Sequence, residues 1–508
     1  MRGMATLDRK ISATMASQHP DHASKPYWYM KEFISTRQEV KECFLTFSEL
    51  GISEYKWDWE GKFVDESVVD KLLSEHYEFF QKHPLGKDTF ITFRLPNPKV
   101  ETEFRLGRAF MGILAAAGLA KHIGLHTPPL FEVILPMTES AGEMIAIQEA
   151  FREISSLKHE LYNFTDDTIK HIQVIPLFET VETMMRSDEI IKEYVTLHKK
   201  QFGFTPSYLR PYVARSDPAL NSGIVPTVLA IKVALSRYKR LEEDFGIAQY
   251  PIIGSASLPF RGGLTPYTVN QFADEYKGVR TALIQSAFRY DFPLEDVKQG
   301  ISELHDLLPK HEPVSVSTQE EKKIREVIPY FESPYRATIE HVSTIVNDIA
   351  KSLPRRRERV LHVGLFGYSR GVGKVRLPRA IGFCAAMYSI GIPPELVGTG
   401  RGLKEAEKHG LLPVVEQFYK GFRDNIKQAG RFLHKKSLRT LAKSIPACRD
   451  IESDIHSIEE YLGEELGPKT KEEIEHGKLT EEILTALPEN KLTPELLSEI
   501  AVLRKSLG

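Results

Sequence analysis

Eight times along this chain a short β-type apolar run stops abruptly in a polar cluster. The runs finish at Tyr55-Lys56-Trp57-Asp58, Phe93-Arg94, Pro136-Met137-Thr138-Glu139, Phe178-Glu179-Thr180, Ala214-Arg215-Ser216-Asp217, Gly254-Ser255-Ala256-Ser257, Phe288-Arg289-Tyr290 and Tyr368-Ser369-Arg370. Most are separated by amphipathic sequence long enough for a helix. Val228, Ile231, Leu235 and Tyr238, for example, share one helical face. Eight strands alternating with helices predict α/β architecture: a closed parallel (β/α)8 barrel of the TIM type. The C-terminal ends of the strands converge in that fold, so the polar clusters form one constellation. Carboxylates with several arginines suit a divalent metal and a small, multiply charged anion.

Such a barrel takes about 250 residues, and the chain has 508. The remainder is assigned to helices, mostly C-terminal. Residues 1–52 read as an N-terminal arm and 53–380 as the barrel. A helical insertion falls at about 293–354, between the seventh and eighth strands. Residues 381–508 read as a helical region that closes the barrel and makes oligomer contacts. Hydrophobic content of 42% supports a sizeable core. Net charge is −2, from 67 basic and 69 acidic residues, which argues against nucleic acid as the main partner. Cys43, Cys384 and Cys448 form no CxxC pair, so neither zinc nor a disulfide framework is expected, and a cytoplasmic setting fits. Met1 to Met15 lacks the apolar core of a signal peptide. The longest apolar stretch, around Phe110 to Ala120, is too short for a membrane span.

Glu179 and Asp217 end the fourth and fifth predicted strands, and adjacent parallel strands lie roughly 5 Å apart. Two carboxylates there suit Mg²⁺ or Mn²⁺, which keep waters and accept substrate oxygens; a helix N-cap and a surface acid are the plainer alternative. Arg261 beside Gly262 and Gly263 follows the sixth strand, as an anion loop or candidate lid, or else as an ordinary turn. Arg289, Arg370 and Arg379 surround the last two predicted strand ends, where barrels commonly hold phosphate; singly, each also reads as a salt-bridge partner. His19 stands in the arm as a candidate acid or base, or as a surface or capping histidine. The run Arg355-Arg356-Arg357-Glu358-Arg359 reads as solvated or oligomer-contact charge.

Together these motifs resemble phosphoenolpyruvate carboxylase, specifically its short archaeal-type branch. Ser17-Gln18-His19-Pro20-Asp21 is similar to that branch's N-terminal histidine motif. Pro176-Leu177-Phe178-Glu179-Thr180 and Ser216-Asp217 resemble the two metal-ligand motifs, and Phe260-Arg261-Gly262-Gly263 the mobile glycine loop. Arg289 matches a substrate-site arginine. Ser369-Arg370 with Arg379-Ala380-Ile381 resembles the paired arginine segment, and the chain ends on Gly508. The longer bacterial and plant enzymes differ at three places. Leu220 stands where they have lysine, and Ile253 and Ser255 where they have histidine and arginine.

The resemblance implies carboxylation of phosphoenolpyruvate by bicarbonate to oxaloacetate and phosphate, through carboxyphosphate and a metal-bound enolate. It assigns the metal (Mg²⁺, with Mn²⁺ possible) to Glu179 and Asp217. Catalysis falls to His19, Arg261 and Arg289, and substrate binding to Arg370, Arg379, Gly262 and Gly263. It also implies a cytoplasmic homotetramer without nucleic acid or membrane partners. On the metal pair and arginines alone, another metal-enolate lyase or phosphotransferase on the same barrel stays open, as does a non-catalytic anion-binding module.

Overall fold

The computed structural model describes residues 9–101, 104–126, 128–159, 162–163, 169–358, 375–489 and 491–508. Eight parallel strands close into a barrel. They are β1 (Thr14–Ser17), β2 (Glu54–Asp58), β3 (Phe90–Arg94), β4 (Glu132–Leu135), β5 (Gln173–Phe178), β6 (Tyr212–Ala214), β7 (Ile252–Gly254) and β8 (Thr281–Ile284). Each pairs in sequence order with the next. β1 closes the ring by pairing with both β2 and β8, with Ser17 opposite Lys56 and Ala16 opposite Ile284. The expected (β/α)8 architecture is therefore present.

Its strand inventory differs at both ends from the one predicted. The arm expected to stand outside the barrel supplies β1. Thr14-Met15-Ala16-Ser17 is only four residues long and contains one β-branched residue, so it carries little strand propensity of its own. The last described strand stops at Ile284, and Phe288-Arg289-Tyr290 belongs to a short helix over Ser286–Tyr290. The strand expected before Tyr368 lies outside the described residues, and the barrel closes without it. The helices expected between the last two strands instead follow the closing strand, as Leu294–Leu307 and the long Thr318–Lys351. Ser317 and Glu320 start the long helix with a reciprocal capping box.

Alternate strand residues fill the barrel interior: Met15, Ile134, Ile175, Leu177, Tyr212, Ala214, Ile252 and Leu283 form one buried cluster. At the N-terminal end, Arg210 donates to Glu54 and Glu132, each at 2.8 Å, and Arg9 joins both acids. All four groups are buried, so losing one partner would cost on the order of 3–5 kcal/mol. Within the arginine run expected as solvated or oligomer-contact charge, Arg355 is exposed but Arg356 and Arg357 are buried. Arg357 pairs with Glu39 at 2.9 Å and Glu42 at 2.7 Å, and Arg356 donates to the carbonyls of His22 and Ala23. Those acids lie on a helix beside the histidine motif, so Arg356 and Arg357 tie that motif down.

Candidate active site

A cavity with ≈ 70 Å³ of free space opens among the C-terminal ends of the strands. His19, Glu179, Asp217, Arg261 and Arg379 all border it. Five residues drawn from across the chain thus meet in one place. Glu179 follows the last residue of β5, and Asp217 lies just past the end of β6, which pairs with β5. Two hard oxygen donors just beyond the ends of neighbouring strands fit a divalent ion that completes its shell with water and substrate oxygens. Among the described residues no third histidine, cysteine or carboxylate joins them.

The His19 motif is clamped in place. Ser17 Oγ lies 2.8 Å from His19 Nδ1. Asp21 Oδ1 accepts the Ala287 amide at 2.9 Å, and Asp21 Oδ2 is 3.4 Å from Arg261. Gln18 accepts the Asp58 amide at 2.7 Å and donates to Glu39 at 2.6 Å. Burial, then Lys56, Arg94 and Lys62, hold the His19 pKa well below its ordinary value, against the opposing pull of Asp58. The ring is therefore neutral at neutral pH, the state a proton acceptor needs.

Four residues that border the cavity were visible at strand ends but not assigned to the site: Lys56, Asp58, Arg94 and Arg215. Lys62 and Gln285 border it too. Asp58 grips Arg94 through two parallel bonds of 2.8 and 2.7 Å, and Arg94 also pairs with Glu60 at 2.6 Å. Burial pushes the Asp58 carboxyl up, but Arg94, Lys62 and Lys56 outweigh it and hold the pKa well below the usual range. Their signal was a charged residue at a strand end facing the mouth, which a reading based on motifs passed over.

The glycine loop is packed down. Arg215 donates to the carbonyls of Phe260 at 2.9 Å and Pro259 at 3.3 Å, and Glu395 accepts the Phe260 amide at 2.6 Å. Gly262 has φ 118, and a Cβ there would lie 3.3 Å from Ser255 Cβ, so glycine fits both the turn and the close approach. Arg261 borders the cavity, whereas Gly262 and Gly263 shape the backbone behind it. Arg261 donates to Gln285 at 2.6 Å, to Ser216 at 3.1 Å and to the main-chain oxygen of Gly508. Arg289 stands apart: it is buried behind β1, donates to Ser17 O at 2.7 Å and pairs with Glu42 at 3.1 Å. Arg370 lies outside the described residues.

A family model described as phosphoenolpyruvate carboxylase matches residues 11–508. The chain belongs to the phosphoenolpyruvate carboxylase family. A phosphoenolpyruvate carboxylase of Leuconostoc mesenteroides is 38% identical over 503 residues, covering 98% of this chain and 99% of its own. One from Metallosphaera sedula is 38% identical over 518 residues, covering 98% of this chain and 100% of its own. One from Pyrococcus horikoshii is 39% identical over 469 residues, covering 89% and 95%. These carboxylases are of similar length, as the resemblance to the short branch implies. Among the described residues no single helix is long and apolar enough to cross a membrane.

Proposed function

We propose that this carboxylase converts phosphoenolpyruvate and bicarbonate to oxaloacetate and phosphate in the cavity at the barrel mouth. The observation that supports it is the meeting there of His19, two carboxylates and a ring of cations. Glu179 and Asp217 would hold Mg²⁺ or Mn²⁺. Such an ion offsets negative charge as it develops on substrate oxygens. Arg379 and Lys56 hold the phosphate and carboxylate and offset the repulsion between two anions. A bicarbonate oxygen attacks phosphorus and the bond from phosphorus to the enol oxygen breaks, which leaves carboxyphosphate and the enolate of pyruvate. His19 accepts the carboxyphosphate proton, and cleavage of its C–O bond yields CO₂ and phosphate. The enolate carbon then attacks CO₂ and forms the new C–C bond. Arg261 and the packed loop keep water from the enolate, which would otherwise be protonated to pyruvate. The same reading takes the working form to be a cytoplasmic homotetramer, which light scattering tests.

The deciding assay follows oxaloacetate by NADH oxidation with added malate dehydrogenase, with and without bicarbonate and chelator. Signal that needs both bicarbonate and the ion supports the reading. Pyruvate without bicarbonate dependence overturns it, and unchanged carboxylation in His19→Asn removes the base assignment.

A further inference from the structure

Three described non-glycine residues have φ in the left-handed region: Phe104, Met137 and Lys505. Phe104 and Lys505 flank helix ends. Met137 instead stands at the barrel mouth, directly after Pro136 and the end of β4, with φ 50. Turns with proline at the preceding position normally place Gly or Asn there, because a Cβ is crowded by the neighbouring carbonyl. An observed outlier of this kind calls for a reason in its surroundings.

The reason lies across the barrel wall. In this conformation the Met137 N–H donates to Glu179 Oε2 at 2.6 Å. The turn is pinned on either side, since Thr138 N–H donates to Leu177 O at 3.0 Å and Asn97 donates to Pro136 O at 3.3 Å. A main-chain N–H does not titrate and has no rotamers, and its bond to a carboxylate is charge-assisted. We propose that Met137 is a positioning residue whose left-handed backbone aims the N–H that fixes the Glu179 carboxylate for a divalent cation. The inference rests on the metal reading of Glu179 given above.

The test is Mn²⁺ titration of the full chain without substrate, read by the electron paramagnetic resonance of the free ion. Met137→Gly keeps the N–H and adopts the same φ freely, so Mn²⁺ affinity stays within about twofold of the parent. Met137→Ile cannot hold this φ comfortably and withdraws the N–H, so affinity falls by about 10-fold or more, the usual range for losing a group that orients a ligand. In Glu179→Gln, adding Met137→Ile produces no further loss, and circular dichroism verifies that each variant is folded. Wild-type affinity in Met137→Ile, or an equal loss in Met137→Gly, overturns the positioning role. Mn²⁺ binding that ignores Glu179→Gln overturns the metal reading itself, and this inference with it.

Discussion

The guanidinium of Arg261 donates to the main-chain oxygen of Gly508, 247 positions away in sequence. The same guanidinium reaches Asp21, Ser216 and Gln285, so it ties the histidine motif, the start of the Asp217 helix and the end of β8 to the last residue. Gly508 has no room to spare: a Cβ there would lie 2.0 Å from Ile381 O and 2.8 Å from Ala385 N. Both contacts are main-chain atoms of the segment that follows Arg379. Gly508→Ala must therefore displace the terminal segment and, with it, Arg261. A shift of about 1 Å at a catalytic group can cost about 10²-fold. We expect a fall in kcat of that order with a much smaller effect on thermal unfolding, checked by steady-state kinetics beside a melting curve. Wild-type turnover would show that Arg261 holds its place without Gly508.

Lys56 is buried at the cavity wall, opposite Ser17 in the barrel register. Burial, then Arg94, holds its pKa well below the ordinary lysine value, with Asp58 pulling the other way. A desolvated cation crowded by other cations gains when an anion arrives. Lys56→Met should lower kcat/KM by about 10- to 100-fold, the equivalent of one hydrogen bond to a charged group. Most of the loss should appear in KM for phosphoenolpyruvate or bicarbonate, and Lys56→Arg should recover part of it. An unchanged KM for both substrates would remove Lys56 from the site.

The barrel was legible because strands buried on both faces leave long apolar runs, and the polar residue that ends each run is the one at the mouth. Glu179 and Asp217 were found in that way. The first strand was not, since Thr14-Met15-Ala16-Ser17 owes its conformation to pairing with β2 and β8 and not to its own propensity. Arg289 is expected at a strand end, but Ser286–Tyr290 form a short helix, from which the side chain reaches Ser17 O behind β1. The burial of Arg356 and Arg357 could not be read from a charge run, because it depends on partners hundreds of residues earlier: the carbonyls of His22 and Ala23 for Arg356, and Glu39 and Glu42 for Arg357. Met137 was seen only as part of a polar strand end. Its φ is a property of the folded turn, and nothing in the residue type announces it.

Glu395 gives the glycine loop a pH-dependent anchor. Its Oε1 accepts both the Phe260 amide and the Tyr388 hydroxyl, and burial raises its pKa to about 7. A carboxyl with a raised folded-state pKa keeps a proton that the unfolded chain releases. The resulting penalty is absent below the unfolded value of 4.5, grows as pH rises, and is complete above about 7. Glu395→Gln keeps an oxygen for both donors and removes the titration. Its stability relative to the parent should therefore rise between pH 5 and pH 7.5 by an amount on the order of 3 kcal/mol, then level off. Urea midpoints of the two proteins across that range decide it, and a constant difference would show that Glu395 does not titrate there.

Arg289 is expected to act on stability more than on substrate binding. It is 1% exposed, does not border the cavity, and spends its donors on Ser17 O at 2.7 Å and Thr46 Oγ1 at 3.2 Å. Its charge faces Glu42, which Arg357 also holds at 2.7 Å. Burial pushes the Glu42 carboxyl up, but Arg357 and Arg289 together bring its pKa down to about 2. Arg289→Met therefore removes one of two cations from a buried carboxylate and the donor from a carbonyl of β1. Removing one partner of a buried pair costs about 3–5 kcal/mol, and the remaining arginine places this case near the lower end. Because Ser17 carries the hydroxyl beside His19, kcat should fall along with stability while KM for phosphoenolpyruvate changes little. The opposite pattern, a wild-type melting temperature with KM raised tenfold or more, would return Arg289 to direct contact with substrate.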